Sequence, residues 1–163
     1  MPYIHPHKKE SYTIGVISDT HGILRPEAIK ALYGSDLILH AGDIGDPAII
    51  KRLNEIAPTV AIKGNVDTTP ALFKFPFSET VEISGYTIFM IHNITDLDFR
   101  PEEKNISIVV YGHTHKASIE KRGDVLFFNP GSAGKKRFNF PISTGEIKIK
   151  NDEISSRIVK LEL

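Results

Sequence analysis

Cysteine is absent from the 163-residue sequence. Disulfides, thiolate metal ligands and a cysteine nucleophile are therefore excluded, and any bound metal must use nitrogen and oxygen donors. Net charge is also missing, because 20 Lys and Arg side chains balance 20 Asp and Glu, with no long run of one sign. The balance leaves no electrostatic footprint for duplex nucleic acid or for an anionic membrane, so a polyanion would have to be met locally. No apolar stretch approaches the roughly 20 residues that span a bilayer. Met1 to Glu10 is polar rather than signal-like, and a cytoplasmic protein is expected. Internal repeats, low-complexity tracts and interdomain linkers are lacking too. The length suits one domain with its own core, 1–163, with residues 1–11 expected as a flexible tail.

Short apolar runs alternate with helical patterns in the first 65 residues. Tyr12 to Ser18, Asp36 to Ala41 and Thr59 to Lys63 are β-branched and apolar, as buried strands are. Between them lie Glu27 to Tyr33, with Pro26 at a first helical position, and Pro47 to Ile56, whose Ile49, Ile50, Leu53 and Ile56 follow helical spacing. Two β-α-β units sharing a parallel sheet follow from this order. The second half changes character. Phe73, Phe75 and Phe77 alternate before a hairpin, Glu79 to Ser84 and Thr87 to Ile91 around Gly85-Tyr86, and Ile106 to Tyr111 forms a further strand. Ser118 to Lys121, Val125 to Phe128, Ile142 to Lys150 and Ile154 to Leu161 are expected as a β meander, with Pro130 to Pro141 as one long surface loop. A mixed α/β sandwich is the economical architecture.

Clusters of metal-binding side chains stand where those runs end: Asp19-Thr20-His21, Gly42-Asp43, Gly64-Asn65-Val66-Asp67 and Gly112-His113-Thr114-His115, with His92 alone after the hairpin. Singly, each is an ordinary turn that contains a polar residue. Their repetition at successive strand ends is what indicates a metal site, because loops converge at the carboxyl edge of an open α/β sheet. A carboxylate such as Asp43 has two oxygens and could bridge ions about 3.5–4 Å apart, the spacing of two-metal hydrolytic sites. Gly42, Gly64 and Gly112 each precede a donor, where a missing Cβ permits tight packing around crowded ions.

In this order the clusters resemble the calcineurin-like metallophosphoesterases, whose signature runs D-x-H, G-D-x-x-D, G-N-H-[DE], a lone H, and G-H-x-H. The matching residues are Asp19/His21, Gly42-Asp43-Ile44-Gly45-Asp46, Gly64-Asn65-Val66-Asp67, His92 and Gly112-His113-Thr114-His115, and the match spans residues 12 to about 140. Asn129-Pro130-Gly131-Ser132 and the small size resemble the compact bacterial and archaeal phosphodiesterase branch, which has a retromer subunit among its relatives. The resemblance implies an α/β fold built as a four-layer α/β/β/α sandwich, two mixed β-sheets flanked by helices. It implies two divalent ions, Mn²⁺ or Ni²⁺ foremost, with Fe or Zn²⁺ as alternatives. One ion would be held by Asp19, His21, Asp43 and His115, the other by Asp43, Asn65, His92 and His113. The reaction it implies is hydrolysis of a small phosphate ester, with Asp43 and Asn65 serving catalysis around a metal-bridging water. A homodimer is the oligomeric state it suggests.

The chain departs from the family pattern twice. Val66 stands where many relatives have the histidine of G-N-H-D, so the usual proton donor to the leaving group is missing, a contribution worth roughly 10²–10⁴-fold in typical enzymes. His92-Asn93-Ile94 stands where compact relatives commonly have His-Gly-His. His40 is read as a packed or supporting histidine, while His5 and His7 are discounted as part of the tail. Asp46 and Asp67 either hydrogen-bond the donors or cap the turns that follow them. Lys135, Lys136 and Arg137 are either a solvated basic turn or contacts for substrate phosphate. Two other functions compete with a phosphodiesterase: a metal-binding or metal-free scaffold for protein contacts, and a phosphomonoesterase or nucleotidase.

Overall fold

The computed structural model of the chain describes residues 2–5 and 8–163. Its first sheet is built around three parallel strands, β2 (Ser11–Ile17), β3 (Leu37–His40) and β4 (Thr59–Ala61), paired in the order β2-β3-β4. Their apolar runs are continuous because both faces are covered, as parallel sheets require. Helices α1 (Pro26–Leu32) and α2 (Pro47–Asn54) make the crossovers. Each has proline in its first turn, and Asp46 caps α2 by accepting from the Ala48 N–H at 2.9 Å. On α2, the buried Ile49, Ile50 and Leu53 pack with Ile17, Ile38 and Ala61 of the sheet. A C-terminal hairpin, β10 (Ser143–Lys150) and β11 (Glu153–Lys160), adds antiparallel to β2 and completes the order β11-β10-β2-β3-β4.

The second sheet has the order β1-β5-β6-β7-β9-β8, from strands β1 (Tyr3–Ile4), β5 (Ser78–Ile83), β6 (Tyr86–Ile91), β7 (Ile108–Val110), β8 (Ser118–Arg122) and β9 (Val125–Asn129). Strands β6, β7 and β9 are parallel to one another. The two sheets face each other across a shared core in which Ile14, Leu37, Leu39 and Ile147 meet Val81, Ile88, Val110 and Phe128. Helices cover the outer face of the first sheet. Two 3-10 turns, Ile94–Asp96 and Pro101–Lys104, and the segment between them cover the second, through Ile94, Leu97 and Phe99 packed on Ile91, Val109 and Phe127. The outermost layer on that side is thus thinner than the pair of helical layers expected.

Three details correct the sequence expectations. The expected meander is two hairpins in different sheets, because β9 pairs with the buried β7 while β10 pairs with β2. Part of the expected tail is strand: Tyr3–Ile4 pairs with β5, and the His5 ring meets Tyr12 edge-on at 5.3 Å. That pairing satisfies an otherwise open sheet edge. His7 lies outside the described residues. Ahead of the β5–β6 hairpin, Pro70–Phe73 forms a one-turn helix, α3, that buries Leu72. Only the second half of 130–141 is a surface loop. Residues 130–134 are buried, with the Ala133 N–H donating to the Ser18 carbonyl at 3.0 Å.

Candidate metal centre

All five donor segments leave the carboxyl ends of parallel strands: β2, β3 and β4 of one sheet, β6 and β7 of the other. The two sheets therefore bring Asp19, His21, Asp43, His92, His113 and His115 to one edge of the sandwich. Five of these six have left-handed backbone, with φ of 55° at Asp19, 47° at His21, 55° at Asp43, 72° at His113 and 64° at His115. Such φ values cost energy in non-glycine residues and persist where the surroundings fix them. Alternating left-handed residues in Asp19-Thr20-His21 and His113-Thr114-His115 turn both members of each pair toward the cluster.

The donors form two groups, Asp19/His21/His115 and Asp43/His92/His113, each able to offer ligand atoms within 4.8 Å of one another. In the first group His115 Nε2 lies 3.3 Å from both Asp19 Oδ1 and His21 Nε2. In the second, His92 Nε2 lies 3.2 Å from Asp43 Oδ2, and the His92 and His113 rings meet edge-on at 5.3 Å. Asp43 Oδ2 is also 3.5 Å from His21 Nε2, so one carboxylate oxygen faces both groups. Two atoms each about 2.1 Å from a common ion, at tetrahedral or right angles, are themselves about 3.0–3.4 Å apart. These spacings fit divalent cations. So do two unpartnered atoms that face the cluster, since Asp19 Oδ1 and His92 Nε2 are buried without a hydrogen bond.

The opposite atoms of the same side chains are tied down. Asp19 Oδ2 accepts from the Ser18 hydroxyl at 2.7 Å and the His113 N–H at 3.1 Å. Asp43 Oδ1 accepts from the Val66 N–H at 3.0 Å, and His92 Nδ1 donates to the Ala41 carbonyl at 2.7 Å. This fixes the tautomer that leaves Nε2 facing the cluster. Gly64 and Gly112 permit the closeness: a Cβ on Gly64 would collide with the Asp43 carboxylate, and one on Gly112 with the Ser18 hydroxyl and Asp19 Oδ2.

Burial alone would raise the Asp19 carboxyl, but the His115 and His21 imidazoles and the nearby His92 hold it far below the usual carboxylate range. At Asp43 the same burial is outweighed mainly by His92 and the Val66 N–H, so it too is lowered. Burial would lower His92, and the Asp43 and Asp19 carboxylates raise it instead. Both carboxylates are thus ionised, the form a cation requires.

Among the other singled-out residues, His40 supports the site. Its Nδ1 accepts from the Gly42 N–H at 3.1 Å, which leaves the proton on Nε2 for Thr20 Oγ1 at 3.0 Å, and that hydroxyl donates to the Ile44 carbonyl. Full burial holds His40 down at about 4, hence neutral, against the pull of Asp19 and Asp67. Asp67 clamps two loops by accepting from the Ile44, Gly45 and Gly64 N–H groups, whereas Asp46 only caps α2. Asn65 is exposed and lines a cavity of about 120 Å³ beside His92. Lys135, Lys136 and Arg137 are exposed at the rim. Sequence reasoning gave no role to Ser18, Ser132 or Asn129. Ser132 donates to the Asp19 carbonyl at 3.1 Å, and Asn129 Nδ2 donates to the Gly112 carbonyl and Thr114 Oγ1, both at 3.1 Å. The Asn-Pro-Gly-Ser string was the available signal.

Carboxylates and imidazoles converging from two stacked sheets define a metal-binding hydrolase type of site. The chain belongs to the calcineurin-like phosphoesterase superfamily, whose domain it matches over residues 12–152. It is 32% identical over 159 residues to a probable metallophosphoesterase of Methanothermobacter thermautotrophicus, covering 90% of this chain and 91% of that one. It is also 32% identical over 162 residues to the phosphodiesterase YfcE of Escherichia coli, covering 85% of this chain and 87% of the relative. Vacuolar protein sorting 29 of Cryptosporidium parvum shares the fold with a TM-score of 0.76 at 17% identity, over 95% of this chain and 100% of the other. Among the described residues no helix is long and apolar enough to cross a membrane.

Proposed function

We propose that this protein is a dinuclear metal-dependent phosphodiesterase. The observation that carries the reading is Asp43 Oδ2, which faces His92 at 3.2 Å and His21 at 3.5 Å and so belongs to both donor groups. Asp19, His21, Asp43 and His115 would hold one ion, and Asp43, Asn65, His92 and His113 the other, with Mn²⁺ or Ni²⁺ the first to test. Two such ions supply Lewis acidity, neutralising phosphoryl oxygens and acidifying a water near neutral pH. Asp43 would contribute to the binding of both, and the His92–Ala41 and Asp19–Ser18 hydrogen bonds hold the donors in place before any ion or ester arrives. Asn65, exposed beside His92, is placed to orient the ester. Lys135, Lys136 and Arg137 attract its negative charge from the rim. A cytoplasmic homodimer is part of the same proposal.

Val66 limits what can leave. Its N–H serves Asp43, but its exposed side chain has no proton to give. Esters with acidic leaving groups are therefore favoured. The Val66→His variant should speed alkyl diester hydrolysis by about tenfold or more while changing aryl diesters little; equal effects on both would refute this account of position 66. The overall reading is tested by metal-stripped protein reloaded with Mn²⁺ or Ni²⁺ and assayed on bis(p-nitrophenyl) phosphate and on p-nitrophenyl phosphate. Preferred turnover of the diester is expected, and no turnover in any combination would instead favour the scaffold.

A further inference from the structure

The turn that carries His113 and His115 is held from outside by one side chain. Asn129, the last residue of β9, is fully buried beside the end of β7, where that turn begins. Its Nδ2 gives one hydrogen to the Gly112 carbonyl and the other to Thr114 Oγ1, both at 3.1 Å, and its Oδ1 accepts from the Gly131 N–H at 2.9 Å. A carboxamide suits these partners because it is donor and acceptor at once. Thr114 Oγ1 in turn accepts from the Lys116 N–H at 3.2 Å and donates to the Lys116 carbonyl at 3.4 Å. Residues 112, 114 and 116 are thereby pinned. The residues between the pins are the two histidines, whose left-handed φ of 72° and 64° persists only where the surroundings impose it. The His115 ring adds no hold of its own. His92 is fixed by its Nδ1 bond to Ala41, but His115 Nδ1 is buried without a hydrogen bond, so the aim of that ring comes from its backbone. The same turn meets the rest of the centre at two points, since the Gly112 N–H donates to the His92 carbonyl at 2.9 Å and the His113 N–H to Asp19 Oδ2 at 3.1 Å.

We propose that Asn129 is a positioning residue for the metal centre, setting His113 toward one donor group and His115 toward the other through Thr114. The inference rests on the dinuclear reading above and adds to it a residue that touches neither an ion nor the ester. His113 and His115 belong to different groups, so a single amide governs how the two groups stand to each other. The sheet itself does not need that amide. Strands β7 and β9 are already joined by their ladder and by the Tyr111 N–H donating to the Phe128 carbonyl at 3.1 Å. Without the amide, the Gly112 carbonyl keeps only the Thr114 N–H, at 2.9 Å, and the Thr114 hydroxyl loses its tie to β9. Relaxation of either histidine toward the right-handed region would then turn its ring away from its group. Asn129→Asp is the sharpest change, because it keeps the size and the Gly131 bond but sets an oxygen against the Gly112 carbonyl.

The test compares the full chain with its Asn129→Asp, Thr114→Val and Thr114→Ser variants, each stripped of metal and titrated calorimetrically with Mn²⁺. The parent should bind two ions. Asn129→Asp should weaken both by about 10- to 100-fold, as loss of a partner behind the ligands does, and Thr114→Val should weaken both by about 10-fold. Thr114→Ser, which returns the hydroxyl, should recover most of that loss. Thr114 is exposed, so metal-free Thr114→Val should melt within about 4 °C of the parent. Excess Mn²⁺ should restore its kcat on bis(p-nitrophenyl) phosphate, which a general loss of folding would not allow. Parent-like affinity in both Asn129→Asp and Thr114→Val overturns the inference, and so does a lowered melting temperature with affinity unchanged. Weakening of one ion alone overturns it too, since the brace would then serve a single group. If Asn129→Asp does not fold, the two Thr114 variants decide by the same criteria. A parent that binds two ions and turns over no ester removes the phosphodiesterase reading and leaves the brace to be judged on affinity; a parent that binds fewer than two removes the dinuclear reading and the inference with it.

Discussion

The interior of the site and its rim are built by different rules. Inside, Asp19, Asp43, His92 and His115 are buried, and Asp19, Asp43 and His92 each have one polar atom held by the protein and another turned to the cluster. Around them His40 and Asp67 brace loops of the first sheet and Asn129 braces loops of the second, through backbone groups. The rim residues Asn65, Val66, Lys135, Lys136, Arg137 and Phe138 are exposed. The contrast separates two tasks. Donor geometry is over-determined by the fold and tolerates little change, whereas the surface that selects the ester can vary without disturbing the metal centre.

The strongest way to break the contrast is to remove the oxygen that joins the two donor groups. Asp43→Asn keeps the shape and withdraws a charge. Several kcal/mol of transition-state stabilisation depend on the ions, so kcat/KM on bis(p-nitrophenyl) phosphate should fall by about 10³-fold or more, with loss of bound metal by elemental analysis. A fully active variant with two ions would show that the interior is no more constrained than the rim.

A subtler change strikes the support and not the donors. His40→Gln keeps a donor near Thr20 but leaves the buried Gly42 N–H without its acceptor, so activity or metal affinity should fall about 10- to 100-fold. Stability carries a second signature. His40 is held at about 4 in the fold against 6.5 when unfolded. Above that ordinary value both states are neutral and the group is silent. As pH falls from 6.5 toward 4 the unfolded chain takes up a proton that the fold refuses, and stability drops by up to about 1.4 kcal/mol per pH unit. Urea titrations of metal-free protein across this window should show a steeper decline for the parent than for the variant. Parallel slopes would mean His40 is not the neutral strut described.

The sequence made the donors legible because strand ends carried them: Asp19, Asp43, His92 and His113 all follow apolar runs that do form parallel strands. Pairing could not be read. β10 finds its partner β2 more than 100 residues earlier while β9 returns to β7 in the other sheet, and no local pattern records that choice. The strained backbone of Asp19, His21, Asp43, His113 and His115 was equally hidden, since only packing holds a non-glycine residue there. Ser18 was invisible for a related reason, and Asn129 was legible only as part of a motif and not in its role, because each acts on a partner placed by tertiary structure.

The rim should yield the smallest effects and of a different kind. Exposed, salt-screened cations contribute near the lower end of roughly 0.2–1 kcal/mol each, so neutralising Lys135, Lys136 and Arg137 together should raise KM for an aryl diester only a few-fold. Metal content and thermal stability should stay unchanged, because the loop's anchors are Ser132, Gly134 and Arg25. Salt sharpens the comparison further. Rim charges face water and are screened within a Debye length of about 8 Å at physiological ionic strength. The parent's KM should therefore rise with added salt toward that of the triple variant, while kcat, set by the buried donors, stays level in both. If kcat falls with the cations removed, those side chains reach the reacting phosphate and the rim belongs to the chemistry after all.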